Sequence, residues 1–269
     1  MRPFKSQNEA IKEKIKLAKS GDSNAQCLLG NCYLEGDEDV DRNYAEALKW
    51  FSRAAEQNDA EAQYYMGRMY YEGLGVPQDW AEAYKWFDIA EYNRYIYTRD
   101  EYGTYTAMAM NMEKAHYVDL AAQAKQKLES EIPKDQLEVA RRDISQWYDM
   151  KAENGDPDAQ VWVAKQYHDG GYFPQDFVKA YQWYKIAQNS YYFIKNHGCN
   201  ETLAENAAAN IIEVEAAIDE LETKHIDLAQ LKQMSVLLAN WYKKANRRGI
   251  PAAERAIEGW DNAEKGCAL

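Results

Sequence analysis

Asp59-Ala60-Glu61-Ala62-Gln63-Tyr64-Tyr65-Met66-Gly67-Arg68-Met69-Tyr70-Tyr71-Glu72-Gly73 decides the fold, because the chain writes this stretch three times. Thirty-seven residues earlier stands Asp22-Ser23-Asn24-Ala25-Gln26-Cys27-Leu28-Leu29-Gly30-Asn31-Cys32-Tyr33-Leu34-Glu35-Gly36. A third copy, Asp156-Pro157-Asp158-Ala159-Gln160-Val161-Trp162-Val163-Ala164-Lys165-Gln166-Tyr167-His168-Asp169-Gly170, follows 97 residues later. Behind each copy comes a second amphipathic segment: Tyr44 to Phe51, Trp80 to Phe87 and Phe177 to Tyr184. A unit of this size cannot bury its apolar side alone, so units that return in register predict stacked helical hairpins.

The residue choices have packing reasons. Ala25, Leu29 and Tyr33 lie at i, i+4 and i+8, as do Ala62, Met66, Tyr70 and Ala159, Val163, Tyr167. That spacing draws one buried stripe along each first helix. Small Gly30, Gly67 and Ala164 beside the stripe let the second helix approach closely. Trp50, Trp86 and Trp183 bring large apolar surfaces to fill the space between hairpins. Gly36, Gly73 and Gly170 suit C-terminal stops, and Pro77 and Pro174 fall in the connecting loops.

The pattern A-x-A-Q-x-x-L-G-x-x-Y-x-x-G, with G-x-G-V-P-Q-D and A-x-x-W-[FY]-x-x-A after it, resembles the Sel-one-like repeat (SLR), a branch of the tetratricopeptide-like superfamily. The second copy matches nearly throughout. The first has Asp37-Glu38-Asp39-Val40-Asp41 in the loop, and the third has Ala164 in place of glycine. The resemblance implies an all-α, right-handed α-solenoid that binds proteins and is not an enzyme. Members of this family serve as adaptors in signalling, secretion and interbacterial systems.

Between and after the clear copies lies a second level of repetition. Glu131 to Tyr148 aligns with His225 to Tyr242 at an offset of 94 residues. Each half therefore reads as a hairpin, a Tyr-rich junction (Tyr92 to Tyr105; Tyr191 to Phe193), a long helix (about 106–129; about 201–224) and a shorter helix ending in Trp-Tyr. Ser6-x-x-Glu9 has the form of a capping box opening a helix with Ile11, Ile15 and Ala18 on one side. Gly249-Ile250-Pro251-Ala252-Ala253 mimics the start of a repeat, so 251–264 reads as a truncated unit that closes the array. The expected organisation is one solenoid over 1–269: cap 1–21, repeats 22–57 and 58–90, spacer 91–151, repeat 152–190, spacer 191–242 and cap 243–269.

Composition narrows the class. The 269 residues hold 32 Lys and Arg against 44 Asp and Glu, a net charge of −12 that repels nucleic acid and favours basic partners. A mean hydropathy of −0.74 and the lack of a long apolar run argue against a membrane span. The N-terminus carries no apolar signal core, and Cys27, Cys32, Cys199 and Cys267 form no CxxC pair, so reduced thiols in the cytoplasm are expected.

Catalytic signatures are missing: no phosphate loop, HExxH, nucleophile elbow or paired-glycine fingerprint occurs. Asp37, Asp39 and Asp41 imitate the start of a calcium loop, but Arg42 and Leu48 stand where such a loop needs glycine and glutamate. His197-Gly198-Cys199 would need further ligands to hold zinc. Neither a metal nor a cofactor is expected. The acidic stretch Glu213, Glu215, Asp219, Glu220 and Glu222 reads as a solvated helix face. Lys243, Lys244, Arg247 and Arg248 read as cations complementing a helix C-terminus.

Function is expected on the side of each first helix next to the buried stripe. There the three copies align Leu28, Asn31 and Glu35; Tyr65, Arg68 and Glu72; and Trp162, Lys165 and Asp169. Aromatics beside cations, flanked by carboxylates, suit recognition of a peptide or a basic helix. Tyr65 and Trp162 have an equal claim to packing against a neighbouring hairpin. The sequence thus predicts a non-enzymatic scaffold gripping a protein partner on a concave face; the alternative is an immunity-type protein that neutralises a basic toxin.

Overall fold

The computed structural model describes residues 4–36, 40–92, 96–99, 105–109, 112–197, 201–250 and 253. Asp37, Glu38 and Asp39 of the acidic loop, Cys199, Cys267 and, of the C-terminal cap, residues 251, 252 and 254–269 lie outside the described residues. The chain groups into two compact units, residues 1–96 with 109–144 and residues 97–108 with 145–269.

The first unit holds α1 (Phe4–Lys19), α2 (Ser23–Glu35), α3 (Tyr44–Ala55), α4 (Ala60–Glu72), α5 (Trp80–Tyr92) and α6 (Met112–Glu131), each packed on the next. One local design recurs. Asp22 and Asp59 cap α2 and α4 by accepting the backbone N–H of Ala25 at 2.7 Å and Ala62 at 3.1 Å, which satisfies donors that a helix start leaves free. Gln26 and Gln63, buried three residues after the first helical position, donate Nε2 to the carbonyls of Ala18 (2.9 Å) and Ala55 (3.0 Å) at the end of the preceding helix, which also accept the turn N–H groups of Gly21 and Asn58. Gly36 and Gly73 then stop the helices at φ 75° and 71°.

Close approach explains the glycines inside the helices. A Cβ on Gly30 would stand 2.7 Å from the Phe51 ring, and one on Gly67 would stand 2.5 Å from the Phe87 ring. Phe51 and Phe87 are both buried. As expected, Ile11, Ile15 and Ala18 pack α1 against Ala25, Leu29 and Trp50. Ser6, however, sits inside α1 instead of capping it, since the helix already runs from Phe4.

The junction after α5 contains β1 (Ile96–Arg99) paired with β2 (Tyr105–Ala109), where a long helix from about 106 was expected. Tyr, Ile and Thr favour extended backbone over helix. α6 therefore starts later. It lies on both α5 and α4, meeting Asp59 near the start of α4 through Lys114 and Tyr71 near its end through Glu131 (3.3 Å). It thus runs parallel to α4 as a further first-type helix without the signature residues.

The second unit contains the C-terminal part of α7 (Lys134–Glu153), then α8 (Pro157–Asp169), α9 (Phe177–His197), α10 (Glu201–Lys224) and α11 (Leu228–Arg247). The same devices return: Asp156 caps α8, Gln160 donates to the Ala152 carbonyl at 3.1 Å, and Gly170 stops α8 at φ 73°. Tyr191 to Phe193, expected as a junction, are the last turns of α9. Tyr191 and Ile194 are buried there with Ile211 and Val214 of α10, so apolar packing continues the helix past the repeat.

The acidic stretch on α10 is exposed at Glu213, Asp219 and Glu222, as expected of a solvated face, and three of its carboxylates also bond to neighbouring helices. Glu213 pairs with Lys165 of α8 at 2.6 Å, and Glu222 accepts from Tyr181 of α9 at 2.7 Å. Glu215 accepts from Gln188 at 3.1 Å and Tyr192 at 2.8 Å. Lys244 and Arg248, expected to serve the end of α11, both reach Glu153 of α7, at 3.1 and 2.9 Å.

Candidate functional site

In the first unit α2 and α4 lie side by side, and the expected face is built from their adjoining residues. Leu28 leaves half of its surface exposed, at 50%, and Glu35 is exposed with its carbonyl accepting from the Arg42 guanidinium at 3.2 Å. Asn31 donates Nδ2 to Glu61 Oε1 at 3.0 Å, joining the two helices. Tyr65 stacks on Phe51 with centroids 4.9 Å apart. The Arg68 guanidinium stands 5.7 Å from the centre of the Tyr65 ring and donates Nε to Glu72 Oε1 at 3.1 Å. Burial works to lower the Arg68 pKa, yet the Glu72 carboxylate raises it above the usual guanidinium value.

Behind this row lies a buried polar cluster that sequence reasoning missed. Asp59 pairs with Lys114 of α6, at side-chain exposures of 2% and 12%. The Tyr117 ring of α6 lies 5.8 Å from both Tyr64 and Tyr65, and Glu61 lies close to Cys27 and Asp59. Burial, followed by the charges of Asp59 and Glu61, pushes the Cys27 thiol well above its ordinary pKa, and a thiol held protonated is a poor nucleophile. Cys27, Asp59 and Glu61 bring three possible ligand atoms within 4.8 Å of one another, but the Lys114 ammonium already supplies the positive charge there. Asp59 was legible as repeat signature, whereas its partner Lys114 lies 55 residues away, in a helix lacking that signature.

The third row belongs to the second unit and is engaged within it. Trp162 stacks on Tyr148 of α7 at 3.8 Å between centroids and 8° between planes, with Tyr172 edge-on at 5.1 Å. Lys165 pairs with Glu213, and Asp169 faces His168 at 3.5 Å. Trp162, Lys165 and Asp169 follow one another at i, i+3 and i+7 on α8; packing was the alternative weighed for Trp162, whereas nothing in the sequence pointed to Glu213 of α10 as the partner of Lys165.

Three stretches of the chain match the Sel1 repeat family model: residues 23–59, 60–92 and 157–187. The chain carries three Sel1 repeats. Those boundaries coincide with α2–α3, α4–α5 and α8 with the first half of α9, so the matched repeats are the three hairpins described above. No curated protein matches the chain. Among solved structures it is similar to a Sel1 repeat protein from Oxalobacter formigenes, at 28% identity over 76% of this chain and 49% of that one, with a TM-score of 0.34. It is also similar to a protective antigen of uropathogenic Escherichia coli displaying an SLR fold, at 21% identity over 91% of this chain and 58% of that one, with a TM-score of 0.31. The chain therefore spans about half the length of these structures. Sel1 repeats generally mediate protein binding. Among the described residues no helix is long and apolar enough to cross a membrane.

Proposed function

We propose that this protein is a non-enzymatic scaffold that grips a protein or peptide partner on the α2–α4 face of its first unit. The observation that carries this reading is the half-exposed Leu28 two turns before the exposed Glu35 on the same side of α2, on a surface whose other members are already held in place. Tyr65 is fixed by Phe51, Arg68 by Glu72 and Asn31 by Glu61, so a ligand orders few side chains on arrival. An apolar anchor on Leu28 with a lysine or arginine against Glu35 and Glu72 is the chemistry such a face takes, and the net charge of −12 draws basic partners toward it. Trp162, Lys165 and Asp169 contribute a similar edge in the second unit, where internal partners hold them more tightly. A cytoplasmic setting fits the unpaired thiols of Cys27 and Cys32.

The test is capture of partners from the native cytosol by the tagged protein, compared with a Leu28→Asp, Arg68→Ala variant. Loss of one stoichiometric partner in the variant supports the reading, and an unchanged set of partners refutes it. A second reading, neutralisation of a basic toxin, draws on the same acidity. It requires a single tight complex whose association rate falls steeply as salt rises, whereas an adaptor gives several weaker and less salt-sensitive contacts.

A further inference from the structure

We infer that α11 of a second copy of this chain is an occupant of the α2–α4 face, so that copies associate head to tail. The inference rests on the reading of that face as a receptor for a cationic, partly apolar segment. Residues 228–248 contain five cations, Lys232, Lys243, Lys244, Arg247 and Arg248, and no carboxylate, in a chain of net charge −12. Glu153 holds Lys244 and Arg248, while Lys232, Lys243 and Arg247 are exposed and make no ion pair among the described residues.

The inner side of α11 buries Met234, Leu238, Trp241, Tyr242 and Ala245. Its outer side leaves Leu228 69%, Val236 60% and Leu237 37% exposed. Leu228, Lys232, Val236, Asn240, Lys243 and Arg247 succeed one another at steps of three and four, which sets them in one stripe about 30 Å long. Isolated exposed apolar residues are ordinary, but apolar residues alternating with free cations along one helix side have the character of a docking edge. Its complement is present on the same chain: Leu28 offers apolar contact and Glu35 an exposed carboxylate, with Glu72, 40% exposed, shared with Arg68. Two α11 stripes repel one another, so the contact joins unlike surfaces. A stripe roughly 10 Å wide covers about 300 Å² per side, well short of the ~800 Å² of a stable complex, so association is weak and concentration-dependent.

Sedimentation velocity on the full chain, from about 1 to about 200 µM, tests this. One variant blocks α11 with Lys232→Glu and Val236→Asp; another blocks the face with Leu28→Asp and Glu35→Lys. All four positions are exposed, and circular dichroism checks that both variants fold. The wild type is expected to rise at least two-fold in average mass across the range, and each variant to stay monomeric. An equimolar mixture of the two should form dimers and nothing larger, since each brings one intact surface. A wild type that stays monomeric, a blocked variant that still assembles, or a mixture that stays monomeric overturns the inference. If the wild type is monomeric while Leu28→Asp, Arg68→Ala still loses a cytosolic partner, the self-association fails and the binding face stands.

Discussion

The Tyr181 hydroxyl on α9 donates to the Glu222 carboxylate on α10 at 2.7 Å, and Tyr84 on α5 makes the corresponding bond to Glu129 on α6 at 3.3 Å. Tyr84 and Tyr181 occupy equivalent repeat positions, so both long helices outside the signature dock on their hairpins by the same bond. The larger duplication thus includes the docking chemistry as well as the hairpins. Tyr181→Phe keeps the ring and removes the donor, while the exposed Glu222 is rehydrated. The expected loss is about 1 kcal/mol in urea unfolding. No change in midpoint would show that the bond only decorates a contact made by packing.

Gly67→Ala tests why a glycine stands in the middle of α4. By propensity alone the change would stabilise the helix by roughly 1 kcal/mol. Here the new Cβ meets the buried Phe87 ring at 2.5 Å, so one side chain or the helix spacing must shift. Over-packing of this kind costs about 1–3 kcal/mol, and the net expectation is destabilisation. Adding Phe87→Leu, which clears the ring, should return part of the loss. A Gly67→Ala variant with a raised melting temperature would contradict the packing account.

These two sites also show what the sequence made legible. Helices α2, α4 and α8, their caps and their glycine stops follow from local chemistry written at a fixed period, and the glycines announced close approach without naming Phe51 and Phe87. α10 was readable to its ends because its flanks break the pattern. Tyr191 to Phe193 misled because a run of aromatics resembles a junction, whereas burial against α10 continues α9 through it. The carboxylates of α10 were only half legible: Glu213 and Glu222 are exposed as read, but Lys165 and Tyr181, 48 and 41 residues away, are brought beside them. Charge partners distant in sequence leave no local period.

Lys114 and Lys165 both pair with carboxylates across helices, and their surroundings predict different outcomes. Removing Lys114 strands Asp59, whose side chain is 2% exposed, as an uncompensated buried charge. Lys114→Met is expected to cost about 3–5 kcal/mol. Lys165 and Glu213 are 46% and 61% exposed, so Lys165→Met should cost no more than about 1 kcal/mol. Denaturant midpoints for the two variants give the comparison. Equal losses would mean that Asp59 is sustained by its capping bond to Ala62 instead of by Lys114.

Alkaline pH should unfold the protein through its buried tyrosines. Burial pushes Tyr242 and Tyr184 up from the ordinary tyrosine value, and burial with the Glu222 bond does the same for Tyr181. In the unfolded chain these hydroxyls ionise near pH 10, while in the folded chain they keep their protons to higher pH. The folded state then binds more protons than the unfolded state, so stability is intact below about pH 10 and declines as pH rises through the folded-state values. Denaturant midpoints at pH 8 and pH 11 should differ. The phenolate absorbance should lag behind that of the unfolded chain until unfolding and then rise together with the loss of helix. Tyr242→Phe, which removes one such proton and the bond from Asn189, should flatten the alkaline slope while lowering stability at neutral pH. If all the tyrosines titrate near pH 10 before helix is lost, the buried hydroxyls are reached by water in the folded state and the account of their burial fails.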